Sequence, residues 1–192
     1  MRKLLIICII AMSTQAIAQT RIFTGGLILG INGTQVDGDT QYGYKHPGIN
    51  AGVVVDVLSD LKLSFETGLM INGKGAVKKN DDYTEFKTNL LYAEIPLMIR
   101  FRILPKIKIS AGISEGILIN SKITDNTGAE EKNPQWLKKN DTDIIAGMSV
   151  AFCNKYELRA KWGYSLSPIT EDADMPYWRN NYIRLSLMRF FN

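Results

Sequence analysis

Between positions 91 and 103 every second residue is apolar: Leu91, Ala93, Ile95, Leu97, Ile99, Phe101 and Ile103. The residues between them are Tyr92, Glu94, Pro96, Met98, Arg100 and Arg102. After a break at Pro105 the alternation resumes, with Ile107, Ile109, Ala111 and Ile113 set against Lys108, Ser110, Gly112 and Ser114. A period of two means strand, because successive side chains leave extended backbone on opposite faces. The stretch therefore reads as two long antiparallel strands joined by a tight turn. One face of that hairpin is apolar throughout, and it must meet either a protein core or lipid.

The start of the chain narrows the choice of compartment. Arg2 and Lys3 precede an apolar run over positions 4–12, which is followed by Ala16-Ile17-Ala18. That is the pattern of a secretory signal peptide, expected over residues 1–18 with cleavage before Gln19. A spanning helix needs about 20 apolar residues, more than this run supplies. Cys8 follows Ile6 and Ile7 rather than the small residues of a lipoprotein site. Residues 19–192 are expected to form one domain outside the cytoplasm. The formal net charge of +4 falls to +2 without Arg2 and Lys3, which gives no reason to expect nucleic acid as a partner. Cys153 is the one cysteine beyond the leader, so no internal disulfide can staple the domain.

No segment sustains a helical period, and the class is all-β. Strands are expected over 21–32, 48–58, 61–72, 87–103, 106–120, 142–153, 156–167 and 177–191. Tight turns (59–60, 104–105 and 154–155) alternate with long polar loops (33–47, 73–86, 121–141 and 168–176). Eight antiparallel strands with short turns at one end and long loops at the other predict an up-and-down transmembrane β-barrel of the outer-membrane type. A soluble eight-stranded barrel would point its apolar face inward instead. Two features favour lipid. The polar face is crowded with small residues, such as Gly26, Gly30, Gly52, Gly112, Gly147, Gly163 and Ser186, as a cramped interior requires. The aromatic residues of the apolar face fall near strand ends: Phe23, Phe101, Phe152, Tyr156 and Phe191 at the short-turn rim, Tyr164 and Tyr177 at the other.

By parity Asp56, Lys62, Glu66, Glu94, Arg100, Lys108, Arg159, Lys161 and Arg184 point into the barrel. Buried charges persist only when paired, and an eight-stranded lumen is just wide enough for side chains. Glu66, Glu94, Arg100, Arg159, Lys161 and Arg184 are therefore expected to form a structural lumen network, a salt-bridge plug rather than an ion path. The last strand, ending in Arg189-Phe190-Phe191, looks like the C-terminal signal read by the bacterial barrel-assembly machinery. Two places fit badly. Pro96 predicts a bulge in mid-strand, and Glu115 falls on the lipid face unless Gly116 marks a register break or the strand has already reached the headgroups.

The strings NLLYAEIPLMIRF (89–101), GLMINGKGA (68–76) and RAKWGYSLSPI (159–169), with the terminal YIRLSLMRFF, resemble the PorT-like outer-membrane β-barrel family of the Bacteroidota. The resemblance implies an eight-stranded barrel in the bacterial outer membrane, and its founding member carries an association with type IX secretion. The function expected is a non-enzymatic membrane anchor or interaction module, linked to secretion or envelope assembly. Its partners would be outer-membrane lipid, the barrel-assembly machinery and an envelope protein. A small channel is the alternative, and a lipid-modifying barrel enzyme a further one. His46, the sole histidine, falls in an expected loop and supplies no strand-borne base for a nucleophile. The acidic loop pairs Asp37/Asp39 and Asp81/Asp82 and the group Glu171/Asp172/Asp174 lack the spacing of a calcium loop. No catalytic residue, metal or cofactor is expected.

Overall fold

The structure is a computed structural model that describes residues 22–38, 43–79, 85–125, 127–153, 155–171 and 177–191. The expected leader and its cleavage site lie outside these residues. So do Asp39, Asp81, Asp82, Asp172, Asp174 and the side chain of Cys153. The strands in chain order are β1 (Phe23–Asp37), β2 (His46–Val57), β3 (Leu63–Lys79), β4 (Glu85–Leu104), β5 (Ile107–Thr124), β6 (Glu130–Lys132), β7 (Asn140–Cys153), β8 (Tyr156–Ser165) and β9 (Arg179–Phe190). β6 is a short piece that pairs only with the outer end of β5. The other eight close into an antiparallel barrel, in which β4 pairs with β5 and β9 returns to β1.

Register fixes the barrel's size. Paired residues lead from Gly25 through Val55, Thr67, Leu97, Ile113, Ile144, Tyr164 and Asn181 to Gln35, ten positions further along β1. Eight strands with that stagger tilt by about 40° and enclose a backbone cylinder of about 8 Å radius. Such a cylinder is filled by side chains alone.

The two faces are inverted relative to a water-soluble protein. On β9, Ile183, Leu185 and Leu187 are 43–48% exposed, while Tyr182, Arg184, Ser186 and Met188 between them are buried. The exposed apolar side chains continue around the barrel through Leu29, Ile49, Leu69, Ile95, Leu97 and Ile113. Water does not tolerate a belt of that extent, whereas lipid does, and closure leaves no strand edge unpaired in the hydrocarbon. Phe152 stacks on Tyr156 at the short-turn rim, and Trp162 stacks on Tyr164 toward the other, with ring centroids 5.9 and 6.1 Å apart.

Several strands run further than their alternation suggests. β3 continues to Lys79 and β4 starts at Glu85, so the expected loop over 73–86 is mostly a paired ribbon. β1 likewise extends to Asp37 and β5 to Thr124. Beyond the lipid the outward residues turn polar and the period disappears, although the hydrogen-bond ladder does not.

Pro96 carries no bulge. Pairing between β3 and β4 lapses at Gly68 and Leu69 and resumes in the same register, which accommodates the missing donor. The β4–β5 register shifts elsewhere: between Leu91 and Tyr92, with Ile119 as the extra residue on β5, and between Arg102 and Leu104, with Ile103 extra on β4. No break occurs at Gly116, and Glu115 stands on the exposed face, accepting a 2.6 Å hydrogen bond from Thr142. Allowing for strand tilt, it lies at about the level of Tyr164 in the aromatic girdle, where a carboxylate meets headgroups.

The long-loop mouth is capped. Val36, Ala76, Leu90, Tyr92, Ile123, Leu137, Ile169 and Trp178 form a buried apolar cluster, with Phe86, Leu118 and Trp136 against it. The Trp178 ring meets Trp136 and Phe86 edge-on at 5.3 and 6.2 Å. Backbone bonds from Ile169 to Trp178 and from Glu171 to Trp136 hold the loop segments across the opening.

Candidate functional site

The lumen holds a dense collection of buried polar side chains, and alternation explains why. Every second residue of a strand in a closed sheet points inward, so charges on β2, β3, β4, β7, β8 and β9 converge on one axis. They form two layers.

The layer nearer the short turns contains Asp56, Glu66, Arg100, Glu157, Arg159 and Lys161, all buried. Arg100 bonds Asp56 and Glu157 and donates to Ser149 Oγ at 2.8 Å. Arg159 reaches Glu66 and Glu157, each at 2.7 Å. Lys161 Nζ lies 2.5 Å from Glu66 Oε1. Three cations thus meet three carboxylates. β3, which carries Glu66, and β8, which carries Arg159 and Lys161, stand opposite each other in the ring, so these contacts span the lumen.

The second layer is centred on Lys74. Its Nζ lies 2.8 Å from Glu94, 2.9 Å from Asp141 and 2.5 Å from Asp143. The same ammonium sits 4.8 Å from the centroids of the Tyr92 and Tyr182 rings, a cation–π sandwich. Arg184 Nη2 contacts Glu94 at 3.2 Å, from β9 across to β4. Asn180 donates to Asp141 at 2.7 Å and the Tyr182 hydroxyl to Asp143 at 3.0 Å. A run of amides beside this layer joins Ser186 to Asn50, Asn50 to Asn32 and Asn32 to Asn72, and Asn72 donates to Glu94. Ile28, Val54, Met70 and Met188 form a buried apolar cluster inside the wall.

The six residues expected to form the network, Glu66, Glu94, Arg100, Arg159, Lys161 and Arg184, are all buried in the lumen. They form two groups rather than one: Glu66 takes Arg159 and Lys161, whereas Glu94 takes Arg184. Lys62 does not point inward. It is exposed in the β2–β3 turn, 5.1 Å from the Phe101 ring. Lys74, Asp141, Asp143 and Glu157 complete the network beyond the residues expected from the sequence. Glu157 and Asp143 share the inward parity of Arg159 and Ser149, a signal present in the sequence. Lys74 and Asp141 lie in segments that read as loops.

His46 is also placed differently from its sequence reading. It opens β2 and is buried, with Nδ1 3.1 Å from Thr34 Oγ1 and Nε2 3.0 Å from Asn89 Oδ1. A hydroxyl, an imidazole and an amide in line resemble a nucleophile with its base. Here the Thr34 hydroxyl donates to the Gly75 carbonyl at 2.8 Å and is 1% exposed, so it ties strands together and faces no substrate. Among the described residues no group of acidic, histidine or cysteine side chains is arranged to hold a metal. In the second layer the Lys74 ammonium occupies the centre of the carboxylates.

Several solved barrels have the same architecture. Ail, the attachment invasion locus protein of Yersinia pestis, superposes with a TM-score of 0.55 at 13% identity, over 88% of this chain and 98% of its own. Neisserial surface protein A gives a TM-score of 0.52 at 11% identity, over 88% and 96%. At such identities the likeness concerns the fold alone. No curated protein matches the chain. The model of one family, described as the outer membrane protein beta-barrel domain, matches residues 17–171, and the chain belongs to that family.

Proposed function

We propose that this outer-membrane barrel is a sealed, non-enzymatic interaction module, anchored in lipid by its wall and presenting its outer ribbons to a protein of the envelope. The observation that carries this reading is the filled lumen. Among the described residues two layers of buried ion pairs and an apolar cap lie across the axis, which argues against the channel alternative. The β3–β4 ribbon rises about 15 Å beyond the aromatic girdle, more strand than crossing the membrane requires. A photo-reactive residue at Lys78 or Lys132, on the outer ribbons, should cross-link one recurrent envelope protein in intact cells, and one at lipid-facing Leu187 should not. Equal capture from all three positions would remove the reading.

The finer assignment is to the PorT-like group of the Bacteroidota, supported by the strings at 89–101 and 159–169, and through it to type IX secretion or envelope assembly. Deleting the gene and measuring export of type IX cargo tests this link, and unchanged export would exclude it. Residues 1–18 are taken as the cleaved leader of a Sec-exported protein, with the barrel-assembly machinery as its partner during insertion. N-terminal sequencing of the membrane form should begin at Gln19.

A further inference from the structure

The short-turn mouth of the barrel carries a feature that neither the ion-pair layers nor the cap uses. Arg102, near the end of β4, and Lys108, at the start of β5, project into this mouth below the Arg100 layer. Neither forms an ion pair among the described residues. Both donate to a single carbonyl oxygen, that of Ser59, from Arg102 Nη2 at 2.6 Å and from Lys108 Nζ at 3.1 Å. Their nitrogens therefore stand less than about 6 Å apart, where like charges repel and one neutral acceptor does not offset them. Arg102 Nε is buried without a partner.

The acceptor itself is held in place. Ser59 Oγ is 2.8 Å from Thr24 Oγ1, and Leu58 before it has a φ of 59°, uncommon for a residue with a β-carbon. The two cations border a cavity of about 190 Å³, the share of roughly six water molecules in the liquid. Lys106 adds a third positive charge to its wall. Of its two carboxylates, Glu157 is engaged by Arg100 and Arg159, and Asp60 is exposed in the turn without an ion pair among the described residues.

We propose that this mouth binds a phosphate oxyanion, with the Arg102 guanidinium and the Lys108 ammonium as its donors. A guanidinium fork beside a point charge suits a multi-oxygen anion. The location favours phosphate, because Phe101, Phe152 and Phe191 at the same rim mark the level at which lipid headgroups lie. The source is either the headgroup of an inner-leaflet phospholipid or a free phosphate in the periplasm.

The test is a titration of the full chain, folded in a phosphate-free maltoside micelle, with inorganic phosphate followed by ³¹P line broadening. Wild type should bind saturably. Arg102→Gln and Lys108→Gln should each weaken binding by about tenfold or more. Lys139→Gln, an exposed lysine at the opposite end, should bind like wild type. In a second arm phosphatidylglycerol is added. Displacement of inorganic phosphate assigns the site to a lipid headgroup, and undisturbed phosphate binding assigns it to a free anion. If Arg102→Gln fails to fold, Lys108→Gln decides. Folded wild type that binds neither probe, or a Lys108→Gln variant that binds as wild type does, overturns the proposal.

Discussion

Glu94→Ala isolates what the lumen pairs contribute. Among the described residues Glu94 is the one carboxylate within ion-pair distance of Arg184. The other side-chain contacts of that guanidinium are the Met70 sulfur at 3.9 Å and the Tyr182 ring at 4.9 Å. Lys74 would keep Asp141 and Asp143, so the damage falls on Arg184, left charged and buried. Removing one partner of such a pair costs about 3–5 kcal/mol. For a chain of this size each kcal/mol moves a melting transition by about 2–4 °C, so the barrel should unfold about 6–20 °C lower. The gel shift between folded and heat-unfolded barrel reads this directly. Glu130→Ala removes an exposed ion pair with Lys122, whose side chains are 40% and 46% accessible. That pair contributes about 0–1 kcal/mol, a shift of less than about 4 °C. Combining Glu94→Ala with Arg184→Met should cost less than the two losses summed, because the second change removes the stranded charge. If Glu94→Ala and Glu130→Ala melt together, Arg184 is not buried against Glu94, and the assignment of the polar face to the lumen is wrong.

Other consequences are open to separate tests. Lys74→Met leaves three buried carboxylates around an apolar side chain, so its gel-shift transition should fall further than that of Glu94→Ala. Two of the three tryptophans should separate in brominated lipid: Trp162, 41% exposed on the outer wall, should be quenched, whereas Trp178, buried in the cap, should not. Single-tryptophan variants make the measurement, and quenching of Trp178 would place the cap in lipid. A β-carbon at Gly163 would fall 2.2 Å from the Tyr182 ring, so Gly163→Val should displace that ring from Asp143 and lower the transition. Full retention of the wild-type transition would deny the contact.

What the sequence could reveal follows from what lipid imposes. Inside the membrane the outward residues must be apolar, so β4 and β9 alternate plainly and their inward charges can be named from parity. Above the girdle that constraint ends. Lys74 and Asp141 sit on continuous ladders, yet Gly73, Gly75 and Asn140 beside them resemble loop punctuation. Glycine at position 75 has a physical reason: its φ is +148°, and an added β-carbon would lie 1.9 Å from the Thr88 carbonyl. The cap was hidden for a related cause. Trp136, Leu137 and Ile169 come from segments with no period, and they are buried by tertiary folding across the mouth. Pro96 misled in the other direction, because a local lapse in pairing absorbs a missing donor without a change of register.

The central claim, that two ion-pair layers and the cap close the lumen, meets its most direct test in planar bilayers. Purified protein, inserted and shown to be folded by its gel shift, should give no stable unitary current in molar salt at either polarity. Reproducible single-channel steps that change in size when Arg100 or Arg184 is replaced would contradict the claim, because they would place those side chains on an open path for ions.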